Sequence, residues 1–138
     1  MKTKILLTLL TYFTFNPLWA QTYDPNDVAV LQSIDAACDG NSQLNWNTEP
    51  NPANWTGITW NTSSVKCVKN ININSKLLTG VLTVSNLSAL ETLYCGSNQL
   101  TGLTFSNLPN CWEAIFSSNQ LTSVNLSGLP SIYFLERF

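Results

Sequence analysis

One pentapeptide occurs twice in this chain, with the same kind of neighbours on both sides. The sequence SNQLT occupies residues 97–101 and returns at residues 118–122, 21 positions later. The surrounding stretches, 90–109 and 111–130, align along their whole length. A unit of about 20 residues is too short to bury its own apolar side chains, so this period requires neighbouring units to stack on one another.

The aligned copies follow the pattern L-x-x-L-x-L-x-x-N-x-L, with substitutions. One copy fills these positions with Leu90, Leu93, Cys95, Asn98 and Leu100, and the next with Cys111, Ala114, Phe116, Asn119 and Leu121. The pattern resembles the leucine-rich repeat family. The resemblance implies an α/β solenoid of about 3.5 repeats, each giving one strand to a parallel sheet on the concave face. The predicted repeats cover 68–89, 90–110, 111–131 and, in part, 132–138.

The asparagine of the pattern has a predicted structural role. Asn98 and Asn119 follow the predicted strand of their repeats, at a turn where buried backbone groups need partners. An inward amide can supply both a donor and an acceptor there. Lys76 replaces the asparagine in the first repeat, as terminal repeats often tolerate.

Residues 21–67 are predicted to form an N-terminal cap. Residues 24–40 have a helix-capping aspartate, Asp24, and apolar residues at helical spacing. The segment resembles the N-terminal cap of plant-type extracellular leucine-rich repeats, whose C-x-W-x-G-V-x-C stretch corresponds to residues 53–60. Ala53 and Trp60 replace the two family cysteines, so the usual cap disulfide is absent. We expect Trp46, Trp55 and Trp60 to close the end of the solenoid instead, with a carbohydrate-binding platform as the alternative.

The first 20 residues read as a secretory signal peptide, with Lys2 and Lys4 before an apolar stretch and Ala20 at the predicted cleavage site. We therefore expect a secreted or cell-surface protein, without membrane insertion after cleavage. After cleavage the chain would have four basic and eight acidic residues, and this acidic excess argues against binding to nucleic acid. The asparagine-rich repeat and this leader resemble surface proteins of Bacteroidetes-type bacteria.

Secretion makes the four cysteines candidates for disulfides. Cys95 and Cys111 occupy apolar positions of the repeat and are read as small buried residues. Cys38 and Cys67 both lie in the predicted cap, so we expect these two to pair.

Ligand recognition is expected on the outward side of the repeat strands. Tyr94, Trp112 and Ile115 are large residues at outward or flanking positions, where interface anchors are typical. The complete candidate set is Thr92, Tyr94, Trp112, Glu113 and Ile115. The expected function is extracellular protein binding or adhesion, with no catalytic activity, cofactor or metal. Histidine is absent, which excludes His-dependent catalysis, and a shallow sheet face does little to raise the pKa of Glu113 or Glu136.

The sequence leaves two alternatives to protein binding open. One is glycan binding at the cell surface through exposed aromatic residues. The other is an inactive fragment, since the chain stops inside the fourth repeat at Phe138 and Arg137 takes an inward apolar position. A C-terminally truncated array would expose its last strand, so self-association through that end is also expected.

Overall fold

The computed structural model describes residues 21–129 and 134–136. The predicted signal peptide, 1–20, lies outside the described residues, and so does most of the last partial repeat. Cleavage near Ala20 and self-association through the C-terminal end therefore stay predictions.

The described part of the chain has a mixed α/β fold with a single α-helix and three sheets. The helix α1 spans Pro25–Cys38. The strands are β1 (Thr22–Tyr23), β2 (Ile58–Trp60), β3 (Val65–Lys66), β4 (Val68–Asn72), β5 (Thr79–Ser85), β6 (Thr92–Tyr94), β7 (Gln99–Ser106), β8 (Glu113–Ile115), β9 (Ser123–Asn125) and β10 (Phe134–Glu136). The three sheets are a five-stranded sheet (the large sheet), a three-stranded sheet (the small sheet) and the two-stranded pair of β1 and β3.

The large sheet has the strand order β10-β8-β6-β4-β2. Its repeat strands pair in parallel, and β2 adds an antiparallel strand at one edge. Ile71 pairs with Leu93, and Leu93 pairs with Ala114, so equivalent positions of successive units are neighbours. The register that the sequence alignment predicted for these strands is confirmed.

A second parallel sheet, the small sheet, has the order β5-β7-β9. Val84 pairs with Phe105 and Leu103 with Val124, again one unit apart. Each of these units gives one strand to the large sheet, and its second half, for which no strand was predicted, is also extended and adds a strand to the small sheet. Alternating burial explains this: Leu82 and Val84 are fully buried while Val81 and Thr83 are exposed, as in a strand with one covered face.

The hydrophobic core lies between the two sheets. Leu93 of β6, Phe105 of β7 and Phe116 are all buried in one continuous cluster, and the Phe105 and Phe116 rings meet edge to face at 6.4 Å. No single unit could bury these side chains, so their burial depends on the neighbouring units.

The repeat asparagines hold successive units together. Asn98 Oδ1 accepts from the backbone N–H groups of Lys76 and Leu78, at 2.9 and 3.1 Å. Asn98 Nδ2 donates to Ile73 O at 2.8 Å and to Cys95 O of its own unit at 2.9 Å. The predicted inward role of this side chain is confirmed.

Asn119 repeats the arrangement one unit later. Its Oδ1 accepts from Leu100 N at 3.0 Å, and its Nδ2 donates to Cys95 O and Phe116 O. Each asparagine bonds backbone groups of the unit before it, and the first unit has no earlier repeat whose backbone groups need such a partner. This accounts for the lysine at position 76.

Each unit also turns through a left-handed backbone position. Ser75, Ser97 and Ser118 occupy equivalent places and have φ values of 55°, 54° and 56°. A second set, Asn86 and Asn107, has φ values of 58° and 51°. Such values are costly for most side chains, and short polar residues tolerate them best. The recurrence of Ser and Asn at these corners therefore has a conformational reason.

The predicted cap helix is confirmed as α1. Asp24 is its N-cap, accepting from Asn26 N and Asp27 N, and Leu31, Ile34 and Cys38 are buried. Asn26 Nδ2 donates to Asn86 O beyond the end of β5, and Asn41 Nδ2 donates to Leu77 O before its start. The helix thus runs antiparallel to β5 and covers the free edge of the small sheet.

The other half of the cap covers the edge of the large sheet. Asn72 N of β4 donates to Gly57 O at 2.7 Å, just before β2 begins. Gly57 has φ +74°, and a Cβ there would lie 2.0 Å from Asn72 O. Only glycine fits this approach, which gives a physical reason for the W-x-G of residues 55–57.

Candidate functional site

The outward face of the large sheet carries two columns of side chains. In the first, Asn70 pairs with Thr92 and Thr92 with Glu113. In the second, Asn72 pairs with Tyr94 and Tyr94 with Ile115. Four of the five predicted ligand-binding residues, Thr92, Tyr94, Glu113 and Ile115, therefore lie together on neighbouring strands.

The fifth predicted residue, Trp112, stands in a flanking column with Lys69 and Glu91. Glu91 N donates to Lys69 O at 2.8 Å, and Trp112 N donates to Glu91 O at 3.0 Å, so the three residues occupy successive units. The Trp112 side chain is 40% exposed. Lys69 Nζ lies 3.5 Å from Glu91 Oε2, and both side chains are more than 40% exposed. An exposed ion pair of this kind contributes only about 0–1 kcal/mol to stability, so both groups remain available to a ligand.

Hydrogen bonds order the polar side chains of the face. The Tyr94 hydroxyl donates to Glu113 Oε2, diagonally across β6 and β8. This bond to the carboxylate, followed by partial desolvation, raises the pKa of Tyr94 above its usual value. Thr92 Oγ1 donates to Asn70 Oδ1 at 3.0 Å. Thr92 is only 7% exposed, so it supports the face and offers little contact area of its own.

A groove adjoins this face where the cap loop meets the flanking column. We call it the cap groove. It has a volume of about 770 Å³ and is lined by Thr59, Trp60, Asn61, Thr62, Lys69, Ala89, Glu91, Asn110 and Trp112. A smaller depression of about 470 Å³ shares Thr59, Lys69, Glu91 and Trp112 with the groove and extends across the sheet to Tyr94. The two form one continuous recess from the cap to the centre of the face.

Most of the cap groove was not predicted from the sequence. The repeat alignment places Lys69 and Glu91 beside Trp112, but nothing in it locates the cap loop. Thr59, Trp60 and Asn61 reach the groove because β2 pairs with β4. That pairing joins segments without sequence similarity, so the repeat period could not reveal it.

The cap tryptophans pack as a cluster. Trp46 and Trp55 are buried and stack at 6.4 Å, and Trp60 lies 6.2 Å from Trp55. Each indole N–H donates to a backbone carbonyl: Trp46 to Thr56, Trp55 to Glu49 and Trp60 to Pro52. The predicted closing role agrees with this burial. A carbohydrate platform made of Trp46 and Trp55 does not, because neither ring is accessible.

The expected disulfide between Cys38 and Cys67 is not formed, and all four cysteines are free thiols. Cys38 is the last residue of α1, whereas Cys67 lies beside its start, since Val68 N donates to Asp27 Oδ2 at 2.8 Å. Position 38 is eleven residues after position 27 along the helix, a rise of about 16 Å. A disulfide requires Cα atoms within about 7 Å, so the two cysteines do not pair in this arrangement, and the disulfide stays a prediction.

The thiols sit in apolar surroundings. Burial raises the pKa of Cys95 to about 12, with a smaller contribution from Cys38. Burial likewise raises the pKa of Cys111 to about 11. Thiols with such values stay protonated at neutral pH and are poor nucleophiles and metal ligands. Within the described residues, no three His, Cys, Asp or Glu side chains converge as a metal site.

No helix in the described ranges, 21–129 and 134–136, is long and apolar enough to cross a membrane. Comparisons of the chain with protein-family models, with curated proteins and with solved structures find no match.

Proposed function

We propose that this chain is an extracellular binding module of the leucine-rich repeat type, with a helical N-terminal cap, and that it recognises a protein partner. In this proposal the two sheets are the faces of a solenoid, and the partner binds the outward side of the large sheet. A Bacteroidetes-type bacterial cell surface, to which the sequence bears a resemblance, is the proposed setting.

The observation that carries the proposal is the arrangement of Tyr94, Ile115 and Trp112. Tyr94 and Ile115 lie on the adjacent strands β6 and β8, Trp112 directly precedes β8, and each of the three is at least partly exposed. Large aromatic and aliphatic side chains at a desolvated centre, surrounded by polar groups, are typical of binding hot spots. Here Glu113 and the Lys69–Glu91 pair supply the polar surroundings.

The size of the face limits the expected affinity. Five strands, each about 4.8 Å from the next, span about 19 Å. Two or three outward columns across that width offer a few hundred Å², below the roughly 800 Å² per partner of a standard interface. We therefore expect a weak, transient complex unless the partner also fills the recess.

Photo-crosslinking tests the location of the partner. A benzophenone amino acid is placed at Tyr94 or Ile115 on the large sheet, and at Val81 or Val124 on the small sheet. All four variants are exposed to the extracellular proteins of the source cells. The proposal predicts a common adduct from the first two positions and none from the second two. The same adduct from all four positions, or adducts from the small sheet alone, would contradict it.

A further inference from the structure

The cap groove has two indole rings on its walls. Trp112 is exposed beside Glu91. Trp60 is held in place by its Nε1 bond to Pro52 O at 2.9 Å and by edge-to-face contact with Tyr23 at 4.7 Å. A ring that is already fixed loses little conformational freedom when a ligand packs on it. The groove therefore offers preorganised flat apolar surface.

Two asparagine side chains line the groove, and in each only one of the two polar amide atoms is hydrogen-bonded within the described residues. Asn61 Oδ1 accepts from Ser63 N and Cys67 N, at 3.3 and 3.1 Å. Asn110 Nδ2 donates to Ser88 O at 2.6 Å. Among the described residues, the Nδ2 of Asn61 and the Oδ1 of Asn110 have no hydrogen-bond partner. The groove thus presents an amide donor and an amide acceptor, each oriented by a bond on its other side.

The charges of the groove balance. Its lining contains one basic side chain, Lys69, and one acidic side chain, Glu91, and these two are paired at 3.5 Å. A charged ligand would be attracted by one partner and repelled by the other. A neutral ligand with many hydroxyl groups could donate to the carboxylate and accept from the ammonium without separating them.

We propose that the cap groove is a binding site for a neutral saccharide. The apolar C–H face of a sugar ring packs against an indole, while its hydroxyl groups bond to the Asn61 and Asn110 amides and to the Lys69–Glu91 pair. A volume of about 770 Å³ lies within the roughly 300–1,000 Å³ of small-ligand sites. The groove shares Trp112 and the Lys69–Glu91 pair with the proposed protein-binding face, but neither Tyr94 nor Ile115 lines it, so substitutions at those two residues test the protein partner separately.

The test is titration of the purified chain with neutral oligosaccharides. The probes are hexamers of β-glucan, α-glucan, xylan and chitin, and the controls are an acidic galacturonan hexamer and a neutral peptide of similar mass. Calorimetry measures the dissociation constant, and NMR follows the indole N–H signals of Trp60 and Trp112. We expect at least one neutral sugar to bind with a micromolar to millimolar dissociation constant and to shift both indole signals.

The matched variants are Trp112→Ala in the groove and Val124→Ala on the small sheet, two side chains of similar exposure at 40% and 43%. Trp112→Ala should weaken sugar binding about tenfold or more. Val124→Ala should leave it unchanged. A second groove variant, Glu91→Gln, keeps the size of the side chain and removes a charged acceptor, so it should also weaken binding. Amide NMR spectra establish that each variant is folded.

Three results would overturn the proposal: no neutral hexamer binds at millimolar concentration, only the acidic sugar or the peptide binds, or a neutral sugar binds equally well to Trp112→Ala. Loss of the protein adducts at Tyr94 and Ile115 would leave the proposal standing, so failures of the two functions are distinguishable.

Discussion

The side chain of Asn98 accepts the backbone N–H of Leu78 at 3.1 Å, across 20 residues of sequence. The same amide donates to carbonyls of both units, and Asn98 is only 7% exposed. One buried side chain therefore satisfies backbone groups of two successive repeats. These bonds help to fix how successive repeats align. That alignment decides which outward side chains become neighbours on the face proposed for recognition.

Replacing Asn98 by leucine should be strongly destabilising. Buried backbone groups of both units lose their partners, at about 1–3 kcal/mol. Gln99, the next residue, is exposed, so Gln99→Ala should cost under about 0.5 kcal/mol. Urea denaturation followed by circular dichroism measures both values, and equal losses would contradict the inter-unit role of the amide.

The approach of Gly57 to β4 predicts a second large effect. Gly57→Ala places a Cβ against Asn72 O at a positive φ, so strain and overpacking together should cost about 2–4 kcal/mol. A Cβ at Gly40 would meet nothing within 4 Å beyond its own chain neighbours, so Gly40→Ala is the control. It should change stability by less than about 0.5 kcal/mol. Similar melting temperatures for the two variants would show that the cap does not lie against β4 in this way.

Asp27 makes the stability of the cap depend on pH. Asp27 is 3% exposed, and desolvation raises the pKa of its carboxyl group although Val68 N donates to it. The folded chain therefore holds this proton at higher pH than the unfolded chain. Stability from this group is greatest below the unfolded pKa of about 4 and is lost as pH rises through the folded value.

Asp27→Asn tests this directly. The asparagine keeps an acceptor for Val68 N and carries no charge. The free energy of unfolding of this variant should therefore exceed that of the native chain at neutral pH, and the difference should vanish near pH 3. Asp27→Leu removes the acceptor and should cost about 1–3 kcal/mol at any pH. Denaturation at a series of pH values supplies the comparison. An Asp27→Asn gain that is equally large in acid would contradict the raised pKa.

The thiols give a chemical check on the cap. Cys67 is partly exposed, while Cys38, Cys95 and Cys111 are buried. Brief treatment of the native chain with a maleimide should therefore label Cys67 first and the other three only after unfolding. Intact mass should show four free thiols. A Cys38–Cys67 disulfide in the purified chain would mean that the helix end and β3 lie closer together than in this structure.

The repeat period predicted the strand register of the large sheet well, because equivalent residues of identical units must stack in register. Leu93 over Ile71 and the reach of Asn98 both follow from that repetition. The cap obeys no period. The antiparallel pairing of β2 and the distance between Cys38 and Cys67 depend on long-range packing that a single sequence does not encode locally. For the same reason, the repeat columns predicted the outward face but not the cap groove.

The most direct test of the proposed recognition uses the partner protein identified by photo-crosslinking. Its affinity is measured for two double variants of this chain. Tyr94→Ala with Ile115→Ala removes large side chains from the outward face of the large sheet. Val81→Ala with Val124→Ala removes exposed side chains from the small sheet. Calorimetry should find binding weakened at least about tenfold by the first pair, as expected for hot-spot residues, and unchanged by the second. Equal affinity for both, or a loss confined to the second, would contradict recognition through the large sheet.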